Sequence, residues 1–458
     1  MGEVKKKFLS DANKKAFDIE HRKTINYNIS RYNESVEKGK QQFRDIELAR
    51  FRAAHLKYKV INDLEKYLIE FESNFSKRGG KVIWAQDAKE AVREILQIVE
   101  SKKAKKVVKS KSMTTEEIDI NAALEAVNVS SIETDLGEYI AQLSGEKPYH
   151  IVTPVMQKSK EDVAELFSNL FDLDKGSSPE DITSFVRHKL RDDFVSADIG
   201  ITGSNFLIAD TGSIALTENE GNGMMSMSFP KIHIVVAGIE KLIPSLTDLE
   251  LFWPLLSSYG TGQNMTVYNS ILNGPKKENE TDGPEEMYVV LLNNRRTEVL
   301  KKERQRIALS CIRCGACLNA CPVYRNIGGH TYNTIYTGPI GSVISPYMNG
   351  MANFKHLSFA STLCGVCTEV CPVKIPLHML LLLNRNDSVK EGYVAGGEKR
   401  SMWGMKKLML RRKGMDMGGF GVRNYIYKKA ITGQWGPRRD LPQLAKKSFN
   451  TLWKEKEN

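Results

Sequence analysis

All seven cysteines of the chain lie between residues 311 and 371, and their spacing constrains the fold more than any other feature. The first run is Cys311-x2-Cys314-x2-Cys317-x3-Cys321-Pro322, and the second supplies Cys364-x2-Cys367-x3-Cys371-Pro372. In runs of this kind three closely spaced thiolates bind one cubane cluster, while the fourth, followed by proline, reaches the other cluster. The pattern therefore predicts a ferredoxin-type region built around two iron-sulfur clusters.

The same crossing rule assigns the ligands of both clusters. The first cluster would be held by Cys311, Cys314, Cys317 and Cys371, and the second by Cys321, Cys364 and Cys367. Zinc is the alternative metal, since two closely spaced cysteine pairs would suffice for a closed tetrahedral site. The cubane spacing and the two Cys-Pro endings favour iron-sulfur. No cysteine remains elsewhere for a disulfide framework, which predicts a cytoplasmic protein.

The second run lacks one donor, because Ser361 stands where a cysteine would complete the pattern. A serine oxygen is a harder and less acidic donor than a thiolate. Three alternatives stay open: serine or another side chain completes a four-iron cluster, the site holds three irons, or one iron keeps an open position. His356 and Glu369 are the other candidate ligands. We favour an electron relay with an unusual ligand, because cubane clusters span a wide range of potentials and suit one-electron transfer.

The remainder of the chain divides into three further regions by composition. Residues 1–78 are highly charged and repeat apolar residues at helical spacing, which predicts about two long helices that end at Gly79-Gly80. Residues 79–300 alternate short apolar runs with amphipathic stretches, as in an α/β domain with a parallel sheet. Residues 301–395 hold the cysteines and a predicted helix after Pro376, and residues 396–458 form a basic extension.

Within the α/β region, individual segments carry separate predictions. KVIWA, VVKS, SSIETD and HIVT are predicted strands, and a helix begins near Asp87. The later runs IGITGSNFLIADTGSIALTEN, HIVVAG, MTVYNSILNG and MYVVLLNN predict hairpins added to the same sheet.

RTEVLKKERQRIAL is predicted as one helix that leads into the cysteines. GMDMGGFG, residues 414–421, is predicted as a flexible break in the extension.

The net charge of +11 comes from the extension alone. From Glu398 to the end there are 16 Lys and Arg against 5 Asp and Glu, and the rest of the chain has 50 of each sign. This distribution argues against a nucleic-acid-binding protein, and no helix-turn-helix or aromatic stacking platform is found. The segment KKLMLRRK is a candidate for docking on an acidic partner or, as a peripheral contact, on a membrane surface.

The stretch ITGSNFLIADTGSIALTENEGNG, residues 201–223, surrounds Glu218 and Glu220 with Gly, Thr and Asn. Such a loop could hold a phosphate or carboxylate, or place Glu220 as a nucleophile or base. A β-hairpin with capped turns explains the same residues, and the sequence assigns no catalytic residue.

The chain resembles the iron-sulfur subunit, protein B, of the bacterial lactate-utilisation system. The resemblance rests on VIWAQDAKEA, ADIGITGSNFLIADTGSIALTENEGN, FPKIHIVVAGIEKLIP, LCGVCTEVCPVKIPLH and PRRDLPQLAKKSFNTLW. It implies an α/β domain of the LUD type, with a fold similar to sugar isomerases and CoA transferases, and an α-helical ferredoxin insert. Serine at position 361 is usual in this family.

The resemblance also implies a function in oxidising L-lactate to pyruvate with two partner proteins, of the A and C types. On this hypothesis the chain is an electron-transfer subunit that passes electrons through its clusters to an acceptor that the sequence does not identify. The alternative hypothesis makes the chain itself the hydroxyacid-oxidising catalyst, using an open iron at the second cluster or the Glu220 loop.

Overall fold

A computed structural model describes residues 2–394, 396–412, 419–435 and 440–457. The chain forms two compact units, residues 1–390 and residues 391–458. Residues 414–418 of the predicted flexible break lie outside the described residues. Among the described helices, none combines the length and the apolar character that crossing a bilayer requires.

Four helices precede the first strand, where the sequence predicted about two. They are α1 (Glu3–Phe17), α2 (Ile19–Lys40), α3 (Ile46–Asn62) and α4 (Leu64–Lys77). Asp18 and Asp45 divide the stretch, because each side chain accepts a hydrogen bond from a backbone N–H in the first turn of the next helix. Regular apolar spacing predicts helix but does not locate such caps.

A six-stranded sheet, parallel throughout, forms the centre of the α/β region in the order β1-β10-β7-β4-β2-β3. Its strands are β1 (Lys81–Ala85), β2 (Lys106–Lys109), β3 (Ser130–Glu133), β4 (Ile199–Thr202), β7 (Ile232–Gly238) and β10 (Glu286–Leu292). The central strands β4 and β7 are buried along their whole length, as expected for a parallel sheet covered on both faces.

Helices connect and cover the parallel strands. They are α5 (Ala88–Ser101), α6 (Met113–Glu117), α7 (Ile120–Ala126), α8 (Leu136–Leu143), α9 (Lys160–Phe171) and α10 (Pro179–Ser196). Asp87 caps α5 by accepting a hydrogen bond from the Glu90 N–H at 2.9 Å, which confirms the predicted start of this helix. The mixed α/β architecture predicted from alternating patterns is therefore observed.

The hairpin predictions are correct only in part. IGIT, HIVVAG and MYVVLLNN supply β4, β7 and β10 of the parallel sheet, whereas the other predicted strands belong to a second sheet in the order β8-β5-β6-β9. Its strands are β5 (Phe206–Ile208), β6 (Ser213–Glu218), β8 (Leu242–Ile243) and β9 (Tyr268–Leu272), and the helices α11 (Asn222–Ser228) and α12 (Leu249–Gly260) adjoin them. The predicted strand HIVT is also wrong, since residues 150–153 form bends and coil.

Short helices build the cysteine region. They are α13 (Arg296–Leu300), α14 (Ala316–Ala320), α15 (Tyr324–Ile327), α16 (Gly338–Met348), α17 (Met351–Phe359), α18 (Val366–Glu369) and α19 (Leu377–Lys390). The single helix predicted over RTEVLKKERQRIAL is instead α13 followed by a 3₁₀ helix, Gln305–Ser310. The helix predicted after Pro376 is confirmed as α19, which buries Leu377, Leu380 and Leu381.

Helix α3 joins the cysteine region to the sheets. Arg50 donates to the backbone carbonyl of Cys371 through Nη2 at 2.9 Å and through Nε at 3.2 Å. Two turns further along the helix, the buried Lys57 amine donates to the carbonyls of Glu240 at 2.7 Å and Leu242 at 2.9 Å. The N-terminal helices are therefore part of the same core as the cysteines, which composition alone did not reveal.

The described residues of the second unit include the helices Gly396–Met409, Phe420–Trp435 and Phe449–Glu457. The first of them contains Lys406–Met409, the first half of the docking candidate KKLMLRRK. Its Trp403 and Leu408 side chains are exposed beside Lys406 and Lys407.

Candidate metal centre

The two cysteine runs adopt the same local backbone conformation. Arg313 and Leu363 stand immediately before the second donor position of their runs and have positive φ angles of 62° and 56°. Gly315 and Gly365, two residues later, have φ angles of 79° and 89°. Positive φ costs free energy in residues other than glycine, so the surrounding structure must enforce both turns. Each turn leads into a short helix, α14 or α18, that carries the third donor position of its run.

The first donor of each run occupies an equivalent place. The Arg313 N–H donates to Cys311 Sγ at 3.4 Å, and the Leu363 N–H donates to Ser361 Oγ at 3.1 Å. In both runs the amide two residues ahead therefore points at the donor atom. Ser361 directs its oxygen as Cys311 directs its sulfur, although its role as an iron ligand stays a prediction.

One group of thiols combines three cysteines of the first run with the last cysteine of the second. Burial raises the pKa of Cys317, and the neighbouring Cys311, Cys314 and Cys371 raise it further. Burial also raises the pKa of Cys371 to about 12, against the effect of the Ile375 N–H, which donates to its sulfur at 3.3 Å. The charges of Cys311, Cys314 and Cys371 therefore all act on Cys317, as expected if these four cysteines form one donor set.

The other group consists of Cys321, Cys364 and Cys367. Burial raises the pKa of Cys367 to about 11, and Cys321 and Cys364 raise it further. Burial likewise raises the pKa of Cys321, with Cys364 acting in the same direction. These are the two sets that the crossing rule assigns from the sequence, and their grouping into two clusters stays a prediction. That each sulfur binds iron stays a prediction.

The chemistry of these donors fits iron-sulfur clusters. All seven cysteines are free thiols, and those with raised pKa values would keep their protons at neutral pH unless a metal displaced them. A closed zinc site would need sulfur atoms about 3.8 Å apart, from Zn–S bonds of about 2.3 Å. Among the described residues no three cysteine sulfurs lie within 4.8 Å of one another. The wider spacing suits a cubane, whose irons and sulfides separate the thiolates.

The other candidate ligands of the second group, His356 and Glu369, do not share the repeated turn that positions Ser361. His356 is buried, packs its ring 5.0 Å from that of Phe8, and holds the Asn353 carbonyl through Nδ1 at 3.0 Å. Glu369 is exposed at the end of α18, and its backbone carbonyl accepts a hydrogen bond from Arg50. Ser361 remains the donor whose orientation follows the repeat.

A buried ion-pair network lies against the first run, and the sequence analysis missed it. Arg296 contacts Glu117 at 2.8 Å and Glu240 at 2.5 Å, and Glu240 also accepts from Arg313 at 3.2 Å. Burial alone would raise the pKa of Glu240, but the charges of Arg296 and Arg313 lower it to about 2. Tyr336 donates to Glu117 at 2.5 Å and lies 4.2 Å below the Arg313 guanidinium. The network therefore ties Arg313, in the first cysteine run, to Glu240, just after β7.

A cavity of about 290 Å³ opens beside this network. Its walls come from the segments that follow the carboxyl ends of β2, β4 and β7, from the end of β6, and from the first cysteine run, including Cys314. The chain runs from β2 towards β3 on one side and returns through β4 on the other, so β2 and β4 flank a topological switch point. Parallel α/β sheets bind ligands at such points.

The carboxylates singled out in the sequence both line this cavity. Glu218 accepts hydrogen bonds from the Gly223 N–H at 2.7 Å and the Met224 N–H at 2.8 Å, at the start of α11. Burial raises the pKa of Glu218, against the effect of these two bonds, and Glu220 acts with burial. The hairpin explanation and the ligand-loop explanation of this stretch are therefore compatible, because the hairpin forms a wall of the cavity.

Two family matches cover most of the first unit. Residues 68–292 match the LUD domain family, and residues 307–375 match the 4Fe-4S dicluster domain family. The protein therefore combines a mixed α/β domain, containing the parallel sheet, with a ferredoxin-type domain.

Curated relatives match over nearly the whole chain. Lactate utilization protein B of Lysinibacillus sphaericus is 43% identical over 91% of this chain and 90% of its own length. The protein of the same name in Bacillus subtilis is 43% identical over 87% of this chain and 85% of its own. An uncharacterized electron transport protein of Escherichia coli is 41% identical over 89% of this chain and 87% of its own.

Proposed function

The chain belongs to the lactate utilization protein B family, and from this membership we propose that it is the iron-sulfur electron-transfer subunit of a system that oxidises L-lactate to pyruvate. The observation that carries the proposal is the match of residues 307–375, which hold all seven cysteines, to the 4Fe-4S dicluster domain family. Two adjacent donor sets that share one core are what a path for single electrons needs. The relative named as an electron transport protein supports the same function.

In this proposal two clusters occupy the two donor sets. Cys311, Cys314, Cys317 and Cys371 hold the first, and Cys321, Cys364 and Cys367 hold the second, with Ser361 as the fourth donor. When bound, these clusters supply one-electron transfer. The chain's own groups set the surroundings: backbone N–H groups donate to the sulfurs, and Arg50 fixes the Cys371 segment against α3.

The α/β domain would be the scaffold that aligns the clusters, with a fold of the sugar-isomerase and CoA-transferase type. We place the protein in the cytoplasm, working with the A-type and C-type lactate-utilisation proteins and with an electron acceptor of unassigned chemistry. The exposed basic helix of the second unit, Gly396–Met409, would contact an acidic partner or a membrane surface.

The test uses the full chain, reconstituted anaerobically, with and without its two partner proteins. We expect L-lactate to reduce the clusters, followed by electron paramagnetic resonance, only when the partners are present. The control is dithionite, which should reduce the clusters of the isolated chain. Failure of lactate to reduce them in the complete system would contradict the proposal.

The same experiment separates the alternative, in which this chain is itself the catalyst through an open iron at the second cluster or through the Glu220 loop. That alternative predicts turnover of L-lactate with a dye by the isolated chain. A Glu220→Gln variant of the isolated chain would then lose that turnover, whereas a relay shows no turnover without its partners, with or without this substitution.

A further inference from the structure

The cavity beside the first thiol group carries cationic and hydroxyl donors that the protein itself does not use. The Lys241 amine, which lines the cavity, has no hydrogen bond or ion pair with any described residue. Arg313 uses Nη2 for Glu240, while its buried Nη1 has no partner among the described residues. The buried hydroxyl of Ser110 likewise has no hydrogen-bond partner among the described residues. A buried donor without a partner costs about 1–3 kcal/mol, so the occurrence of Arg313 Nη1 and the Ser110 hydroxyl in residues that line one cavity, with the half-buried Lys241, points to a ligand.

The charges of the wall limit what that ligand can be. Lys111, Lys241 and Arg313 are balanced by Asp135, Glu218 and Glu220. A wall with no net charge suits an anion of single charge better than a dianion such as phosphate, because the three carboxylates repel a second negative charge. An Arg and a Lys together can bind a carboxylate, because hydrogen bonds between charged donors and a carboxylate are stronger than those between neutral groups.

The remaining lining groups predict a second polar function on the ligand. Ser204, Thr217 and Ser257 offer hydroxyls, and the carboxylates of Glu218 and Glu220 are acceptors for a ligand hydroxyl. The cavity volume of about 290 Å³ is larger than a three-carbon acid needs. One water molecule occupies about 30 Å³, so such an acid would bind together with several waters, or the ligand would have a longer chain.

We propose that this cavity binds a hydroxycarboxylate, with its carboxylate on Lys241 and Arg313 beside the first cysteine run and its hydroxyl towards Glu218 and Glu220. The carboxylate of the ligand is inferred from the cationic residues of the cavity. The choice of a hydroxyl over an ammonium group as its second polar function rests on the proposed function. The chain thereby contributes a substrate-binding site as well as an electron path. This site lies next to Cys314, not at the second thiol group.

The test measures binding to the holoprotein by anaerobic calorimetry, with L-lactate, L-alanine and inorganic phosphate as probes. We expect L-lactate to bind more tightly than the other two. Lys241→Met should weaken L-lactate binding about tenfold or more, since a hydrogen bond to a charged group contributes about 1.5–3 kcal/mol and 1.4 kcal/mol corresponds to tenfold. Lys277→Met, at an exposed lysine in the loop before β10, is the matched control and should leave affinity unchanged.

A second variant guards against a folding defect in the first. Ser110→Ala removes a hydroxyl without a protein partner, so it should leave the melting temperature unchanged while weakening L-lactate binding about threefold to tenfold. Iron content and the paramagnetic signals of both variants are measured in parallel with binding.

Several results would overturn the inference. These are absence of L-lactate binding, tighter binding of L-alanine or phosphate, or unchanged affinity in both variants. If Lys241→Met shifts the reduction potential of a cluster but leaves affinity unchanged, the amine serves the cluster alone. A holoprotein that binds no L-lactate but relays electrons would refute this site and leave the proposed function intact. Binding of L-lactate by a chain without reducible clusters would support this site and refute the proposed electron-transfer function.

Discussion

The two thiol groups share one local backbone pattern but lie in different surroundings. The first contacts a buried ion-pair network through Arg313, and its Cys314 lines the cavity. In the second, Cys364 is exposed, and among the described residues that line the cavity none is a cysteine of this group. The sequence repeat therefore determines how the donors are presented, while the neighbouring domain determines what each site faces. The first site lies next to the proposed substrate cavity, whereas the second has a cysteine exposed to solvent.

The largest expected effect tests whether the groups are crosswise. Cys371→Ala should remove the same paramagnetic signal and about four irons as Cys311→Ala does, because both cysteines belong to the first group. Cys321→Ala should instead match Cys367→Ala. Iron analysis and electron paramagnetic resonance of the four variants check this. If Cys371→Ala matched Cys367→Ala, the ligands would follow the two runs and the crosswise assignment would be wrong.

The next effect concerns the ion-pair network that distinguishes the first site. Glu240→Gln should lower the free energy of unfolding by about 3–5 kcal/mol, because it leaves the buried Arg296 and Arg313 without their shared carboxylate. Anaerobic urea unfolding of the holoprotein measures the change.

Glu298→Gln is the matched control for this prediction. Glu298 pairs with Lys301 on the surface at 2.8 Å, and exposed pairs contribute about 1 kcal/mol or less. Equal losses in Glu240→Gln and Glu298→Gln would show that the network does not anchor the first site.

A smaller effect locates acid sensitivity in the sheet and away from both thiol groups. Burial lowers the pKa of His233 on β7 to about 3, from an unfolded value of 6.5. The neutral ring therefore contributes its full stability above about pH 6.5, and this contribution falls as the pH decreases towards 3. Between pH 7.5 and 5.5 we expect His233→Gln to remove about 1.4 kcal/mol of the wild-type loss in unfolding free energy.

The control for the pH experiment is His188→Gln, at an exposed histidine of α10. Its unfolding free energy should follow the wild-type pH dependence. If His233→Gln kept the full wild-type slope, the buried ring would not be the source of the acid sensitivity.

The smallest effect tests the equivalence of Ser361 and Cys311. Ser361→Cys should alter the paramagnetic signal of the second cluster only, because the new thiolate replaces a harder oxygen donor in a matching position. The signal of the first cluster serves as the internal control within the same sample. A change confined to the first cluster would contradict the equivalence drawn from the two turns.

The sequence predicted local features well where one physical rule dominated. Cysteine spacing indicated the 4Fe-4S domain, alternating patterns indicated the α/β region, and Asp87 marked the start of α5. The failures came where long-range packing decided the outcome. The hairpin strands β5 and β6 pair with β8 and β9, and nothing in their own residues distinguishes a separate sheet from added strands.

The cavity was only partly predictable for the same reason. Glu218 and Glu220 stand in a conspicuous loop, but Lys241 and Arg313 lie in segments far apart in sequence and meet only in the folded chain. Their signal was weak: FPKIHIVVAGIEKLIP ends a buried strand with two charged residues, which is unusual for a core segment. Charged residues directly after a buried parallel strand would have indicated the site.

The proposed function depends on two cubane clusters that the seven cysteine sulfurs coordinate crosswise. The most direct measurement is iron and sulfide analysis combined with electron paramagnetic resonance of the anaerobic wild-type chain. The account predicts about eight irons and two reducible signals. A count of seven irons would assign a three-iron cluster to the Ser361 site and contradict a fourth ligand there. Colourless protein that contains zinc, or no metal, would contradict the account as a whole.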